Sequence, residues 1–460
     1  MAKSGRRFPN CGAEGLDASR ATSDPGRSPR HAVAWIALVV FFIAAVLSYT
    51  DRLILNLLVA PIRHDLGITD VQVSYLQGAA FAVIYSIVGL PLGRFADRHN
   101  RRNIIAAGIV LWSIATAACG YVADFDQFFL ARIFVGIGEA ALAPAVMSMI
   151  PDLFPPARRG TAIGVFLAGM TIGGGVSVSA GGLLLGAFSG GSLAALPILG
   201  HLAPWRAVLV SLALPGFALA LVVACLPEPQ RLECGGAADK VAFAETLSFF
   251  SRHWALFAAV FGAFALMQMV DYGFSAWLPS LLMRKFAVGP ALAGPQIGAI
   301  SIVFGGVGTL LGGWIADILL VRGKSDARLR VALIAYMLAL PSLLFPLLPS
   351  SHLVLLCYAA YALVTAVGSS AGLTATQDAV RPEMRGFSVS LQALAYTLIG
   401  LGCGPTAVAA TTEYIYHAPS RVGIAMVTVA APAGIAAVLL LAATLRPYRA
   451  IRLALAEERA

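Results

Sequence analysis

Apolar residues fall in runs of about twenty or more along this chain, the length a helix needs to cross hydrocarbon, and polar residues gather in short stretches between them. The runs predict helices over residues 33–61, 71–95, 103–122, 127–150, 161–188 and 206–226. After a polar break they predict six more, over 254–283, 291–320, 331–348, 352–374, 386–410 and 422–445. Several carry Gly or Pro, which helices in a bilayer tolerate better than helices in water. The organisation that follows is a tail over 1–32, a six-helix bundle over 33–226, a linker over 227–252, a second bundle over 253–446 and a tail over 447–460.

Composition excludes the soluble classes. The chain has 460 residues, 59% hydrophobic and 12% charged, with mean hydropathy +0.82. A soluble domain carries about 25% charged residues. The polar first thirty residues are expected to be disordered. They do not begin a signal peptide: the apolar run after Arg30 is too long and lacks a small-residue cleavage site.

Charge sets an expected orientation. Of the 32 Lys and Arg residues, 25 fall on the face that carries both termini, and only Arg63, Arg206, Arg284, Lys285 and Arg421 fall on the other. Arg52 and Arg132 lie inside helices. The positive-inside rule then places both termini in the cytoplasm. A basic rim beside anionic lipid accounts for the net charge of +9 without nucleic acid. The six cysteines are scattered, with no metal-ligand spacing, so neither a metal nor a cofactor is expected. Gly323-Lys324-Ser325 mimics the end of a phosphate-binding loop, but Ile318 stands where its first glycine belongs. Nothing marks the chain as an enzyme.

An internal repeat divides the chain in two. Gly93-x-x-Ala96-Asp97 returns as Gly313-x-x-Ala316-Asp317, and Asp152, Pro156, Arg159, Gly160 return as Asp378, Pro382, Arg385, Gly386. Asp51 precedes Asp271 by the same 220 positions that separate Asp97 from Asp317. Matches in register argue for two homologous six-helix halves. Parallel halves with a site between them at mid-depth are an established transporter plan. The fold class is therefore an all-α membrane protein, twelve transmembrane helices in two pseudo-symmetric halves.

The run Gly93-Arg94-Phe95-Ala96-Asp97-Arg98-His99-Asn100-Arg101-Arg102 resembles the cytoplasmic signature loop of the major facilitator superfamily. Within it, Tyr49-Thr50-Asp51-Arg52, Gly136-Ile137-Gly138-Glu139-Ala140 and the stretch from Asp152 to Gly160 resemble the spinster-like transporters. The resemblance implies a monomeric secondary transporter working by alternating access, and eukaryotic spinsters imply sphingosine-1-phosphate or lysolipid as substrate class. The basic, Ala/Leu/Gly-rich style is bacterial, so the expected location is the inner membrane.

The residues themselves argue for a charged chamber. A charge at the bilayer centre costs at least about 2.5–3.5 kcal/mol, so it faces a cavity or a partner. Asp51 and Arg52 diverge by about 100° as helix neighbours, while Arg132 and Glu139, two turns apart, share a face. Burial and a nearby guanidinium act on a carboxyl in opposite senses, so geometry can switch its protonation. Asp51 and Glu139 are the expected proton-coupling carboxylates, and Arg52 and Arg132 the expected contacts for an anion. A static buried salt-bridge network is the alternative for all four.

From the second half, Asp271 and Tyr272 follow as candidate substrate contacts, an interface-level position near the outer rim being the alternative for Asp271; Gln268, Gln392 and Tyr396 are candidates too, and each fits a helix–helix hydrogen bond equally well. The second half otherwise looks apolar in its helices, which suits an amphipathic ligand. Gly93, Asp97, Arg98, Arg101 and Arg158 are the candidate gate, Asp97 pairing with Arg101 or Arg158. The glycine-dense fifth helix resembles that of superfamily exporters, and close static packing explains it as well. The expectation is proton-coupled export of an amphipathic anion, with symport of small organic anions or drug export as alternatives.

Overall fold

The computed structural model describes residues 27–96, 99–191, 199–231, 243–324 and 326–457. Asp97, Arg98, most of the expected N-terminal tail (1–26) and linker residues 232–242 lie outside the described residues. Among the described residues, twelve helices are long and apolar enough to cross a membrane. The first six are α1 (Ala32–Asn56), α2 (Asp70–Gly89), α3 (Arg101–Cys119), α4 (Phe125–Leu153), α5 (Arg158–Ser189) and α6 (Pro204–Ala224). The second six are α7 (Trp254–Phe286), α8 (Pro290–Val321), α9 (Ala327–Leu347), α10 (Ser351–Asp378), α11 (Arg385–Ile415) and α12 (Pro419–Leu455).

Polar residues between the runs start the helices. Thr69 and Gln72 form a reciprocal capping box at α2, and the side chains of Asn100 and Asp124 accept the backbone N–H groups of Asn103 and Gln127, 2.9 Å each, at the starts of α3 and α4. The run read as 33–61 is two pieces: α1 tightens into a 3-10 turn at Ile54–Asn56, and a separate short helix, Val59–Leu66, follows. The linker holds a helix, Phe243–Arg252, because Phe250 packs on Phe257 and Phe387 with ring centroids 4.4 and 5.1 Å apart. The last helix continues past 446 to Glu457, where Tyr448 is buried and its hydroxyl donates to the Ala375 carbonyl at 2.9 Å.

Residues of α1–α6 and α7–α12 share one apolar core at the face away from the chain ends. Nearer the basic face each half has a core of its own. Two helix pairs, α5 with α8 and α2 with α11, make the crossing between halves, and they approach so closely that only glycine fits. A Cβ on Gly78 would stand 2.1 Å from the Leu401 carbonyl oxygen, and one on Gly182 would stand 2.4 Å from that of Pro290.

Polar links reinforce the same face. Arg284 of α7 donates two bonds of 2.8 Å to the Asp70 carboxylate of α2, and Arg63 pairs with Asp70 at 3.2 Å. Glu413 of α11 accepts the Val71 N–H at the start of α2, 3.2 Å away, where the helix dipole favours an anion. At the basic face Arg101 pairs with Asp152 and Glu228, and Arg328 with Asp317 and Asp378, each set within one half. Among the described residues, then, the halves share a core at the far face and keep separate cores at the basic one. The repeat in the sequence has a physical meaning here, since Asp152 and Asp378 each hold an arginine from the first turn of α3 or α9.

Candidate functional site

The site begins where α1 loses its regular ladder. A helix that ends in a 3-10 turn leaves carbonyls to be satisfied from elsewhere. The Thr50 carbonyl accepts Ser177 at 2.8 Å, and those of Asp51 and Arg52 each accept an Arg132 N–H at 3.3 Å. Arg132 also reaches the Leu76 carbonyl at 3.1 Å, inside the π turn Tyr75–Ala79 of α2. Its guanidinium, expected to meet substrate, is spent on three backbone carbonyls and splints the breaks of two helices.

Arg52 turns to a different set of partners. Its Nε and Nη2 donate to Glu139 Oε2 at 3.1 and 2.8 Å, and Ser48 donates to the same oxygen at 2.9 Å. Glu139 Oε1 is buried and has no hydrogen-bond partner among the described residues. The rings of Tyr49, Phe81 and Tyr85 surround the guanidinium, their centroids 4.4, 4.3 and 5.0 Å from it. Tyr272, from α7, packs against the Phe81 side of this cage across the interface. Asp51 diverges from Arg52 and accepts the Thr116 hydroxyl at 3.5 Å, on the α3 side. Glu139 and Arg132 both lie within electrostatic reach of it.

In the second half, Asp271 accepts a hydrogen bond from the Tyr361 hydroxyl and lines a cavity of about 250 Å³. Gln268, Ser275, Ser301, Tyr358, Thr365 and Ser369 line it too. This corrects the apolar wall read from the sequence: hydroxyls on α7, α8 and α10 make it polar. Tyr358 and Tyr361 went unremarked because each is a lone phenol in an apolar run, and the only signal was their spacing of three on one helix face. Gln392 is buried and joins helices instead, accepting Thr376 at 2.6 Å and donating to the Tyr396 hydroxyl at 2.5 Å.

Of the candidate gate, Gly93 lies on α2's extension beside Pro144, and Arg158 is exposed at the start of α5. Arg101 is buried and directs its donors to Asp152, Glu228 and the carbonyls of Ser148 and Pro229. Asp97 and Arg98 are outside the described residues.

The sequence profile of the Major Facilitator Superfamily matches residues 41–405. The chain is 28% identical to an MFS-type efflux pump of Mycolicibacterium smegmatis over 80% of its length and 83% of the pump's. It is 30% identical to a probable L-galactonate transporter of Escherichia coli, over 64% of each. Its fold is similar to the crystal structure of a bacterial homologue of the human lysosomal transporter Spinster, inward-facing and unoccupied, with TM-score 0.73, 26% identity and coverage of 94% and 98% of the two chains.

Proposed function

This chain belongs to the Major Facilitator Superfamily and is a secondary transporter, and we propose that it carries an organic anion together with a proton, exchanged at Arg52 and Glu139. The observation that carries this reading is the buried Arg52–Glu139 pair, with one Glu139 oxygen unpartnered among the described residues. An anion that takes the Nε–Nη2 edge of Arg52 displaces Glu139 from it. If Glu139 stays ionised, separating a buried pair costs about 3–5 kcal/mol, two to three and a half powers of ten in affinity. If Glu139 takes a proton, that cost disappears. Proton and anion therefore favour each other's binding, by reciprocal linkage. Both cross in one step, and an inward proton gradient drives uptake.

Asp51 is a second proton site, behind the first on the α3 side. The hydroxyl-lined second half offers the remaining recognition and suits a hydroxylated acid, the kind of solute named for the E. coli relative. The basic face is cytoplasmic, the inner membrane of a bacterium is the location, and Gly93, Asp97, Arg98, Arg101 and Arg158 belong to the closure of that face in the outward-facing state.

A second reading, export of an amphipathic anion, is favoured by the aromatic cage around Arg52 and by similarity to the spinster homologue and the efflux pump. It needs the opposite linkage, with a proton leaving as the anion binds. Adding galactonate to the purified protein in weakly buffered solution, with a pH dye, separates the two. Co-transport consumes protons on binding. Proton release, or no change with binding established, contradicts it.

A further inference from the structure

Asp271 is a carboxylate in the membrane interior with a hydrogen-bond donor but no cation. None of the described residues lining its cavity is Lys, Arg or His. The group that donates to it is the neutral Tyr361 hydroxyl. In the first half each buried carboxylate has a guanidinium within reach; in this cavity the negative charge has no counterpart. A charge so placed is kept for a proton, a partner or a ligand.

The surroundings fit one kind of ligand group. An ammonium brings three N–H donors and no acceptor. Around Asp271 stand the carbonyl of Gln268 and the hydroxyls of Ser275 and Thr365, all able to accept. Tyr358 and Tyr361 line the same cavity, two aromatic groups of the kind a cation associates with. Tyr272, the next residue, lines this cavity and also packs on the Phe81 cluster beside Arg52, so the cavity and the anion site are neighbours.

We infer that the Asp271 cavity is an ammonium site, and that the preferred substrate is a zwitterion: a hydroxylated acid whose carboxylate meets Arg52 and whose amine meets Asp271. This rests on the anion reading of Arg52 and adds the second charge. A ligand held by both halves at once also supplies a reason for the halves to move together around it.

D-gluconate and D-glucosaminate test it, since they share a skeleton and differ by a hydroxyl against an ammonium. Binding of each to the purified full-length protein is measured by calorimetry, for the wild type, Asp271→Asn, Tyr361→Phe and the paired variant Arg52→Gln/Glu139→Gln. A charge-assisted contact predicts that wild type binds glucosaminate about tenfold or more tighter than gluconate. Asp271→Asn brings that ratio near one while gluconate binding persists, which also shows that the variant is folded. Tyr361→Phe lowers the ratio in part. Equal binding of the two acids by wild type overturns the ammonium site and leaves the anion reading standing. Glucosaminate binding that survives the paired variant but not Asp271→Asn keeps the ammonium site and removes the anion reading. No binding of either acid overturns both.

Discussion

The closed outer face turns on Asp70, and replacing it with asparagine tests how the two halves are held. Its carboxylate is only 4% exposed, and Arg284 across the interface is 14% exposed. The amide of the Asp70→Asn variant would keep the shape and one acceptor but lose the charge and one of the two bonds. A charge-assisted bond between groups this buried is worth about 1.5–3 kcal/mol. The Arg63 contact, a third exposed, is discounted because water screens it. The inward-to-outward ratio should therefore fall roughly 10- to 150-fold. Spin labels at His64 and Ser420, both exposed and on opposite halves, report the separation by double electron–electron resonance. Wild type should give one short distance; Asp70→Asn should add a longer population, and Arg284→Gln should do the same. Identical distance distributions for all three proteins would refute the idea that this clamp sets the equilibrium.

Other outcomes follow from the same geometry. Gly78→Val places carbon 2.1 Å from the Leu401 carbonyl oxygen, so α2 and α11 cannot close. Overpacking of this kind costs about 1–3 kcal/mol, and the same labels should read an outer face held open; a wild-type distance would contradict this. Arg132→Gln strips donors from three buried carbonyls. The unfolding temperature in detergent should drop sharply, for an expected loss of about 2–5 kcal/mol, while folded protein keeps its anion affinity. A stable variant with lost affinity would return Arg132 to the binding site. Asp51→Asn should leave Arg52 able to bind the anion, since Asp51 itself faces Thr116, yet weaken accumulation driven by a pH gradient. Intact gradient-driven transport would remove Asp51 from the coupling path.

The spans and the two halves were legible because insertion into hydrocarbon leaves long apolar runs, and because the loop motifs repeat with their ion pairs. Asp152 and Asp378 showed themselves in the sequence as a repeat, and only the fold shows that each holds an arginine. Asp51 and Arg52 could be separated in direction from helix geometry, and the Arg52–Glu139 contact completes what the shared face of Arg132 and Glu139 began. What sequence could not show is how the backbone breaks. The 3-10 turn at Ile54–Asn56 and the π turn at Tyr75–Ala79 arise from packing between helices, and without them Arg132 looks like a free cation. The polar second half was hidden for a similar reason: Tyr358, Tyr361, Ser301 and Thr365 are single residues on otherwise apolar surfaces, and only convergence of α7, α8 and α10 makes them a site around Asp271.

The most direct test of coupling at the Arg52–Glu139 pair is flux of labelled galactonate into proteoliposomes that are alkaline inside, with Glu139→Gln beside the wild type. Wild type should accumulate the anion against its gradient. Glu139→Gln, which frees Arg52 without a proton, should exchange galactonate at equilibrium but fail to accumulate it. Accumulation by the variant equal to that of wild type, or efflux driven by the same gradient, would contradict co-transport through this pair.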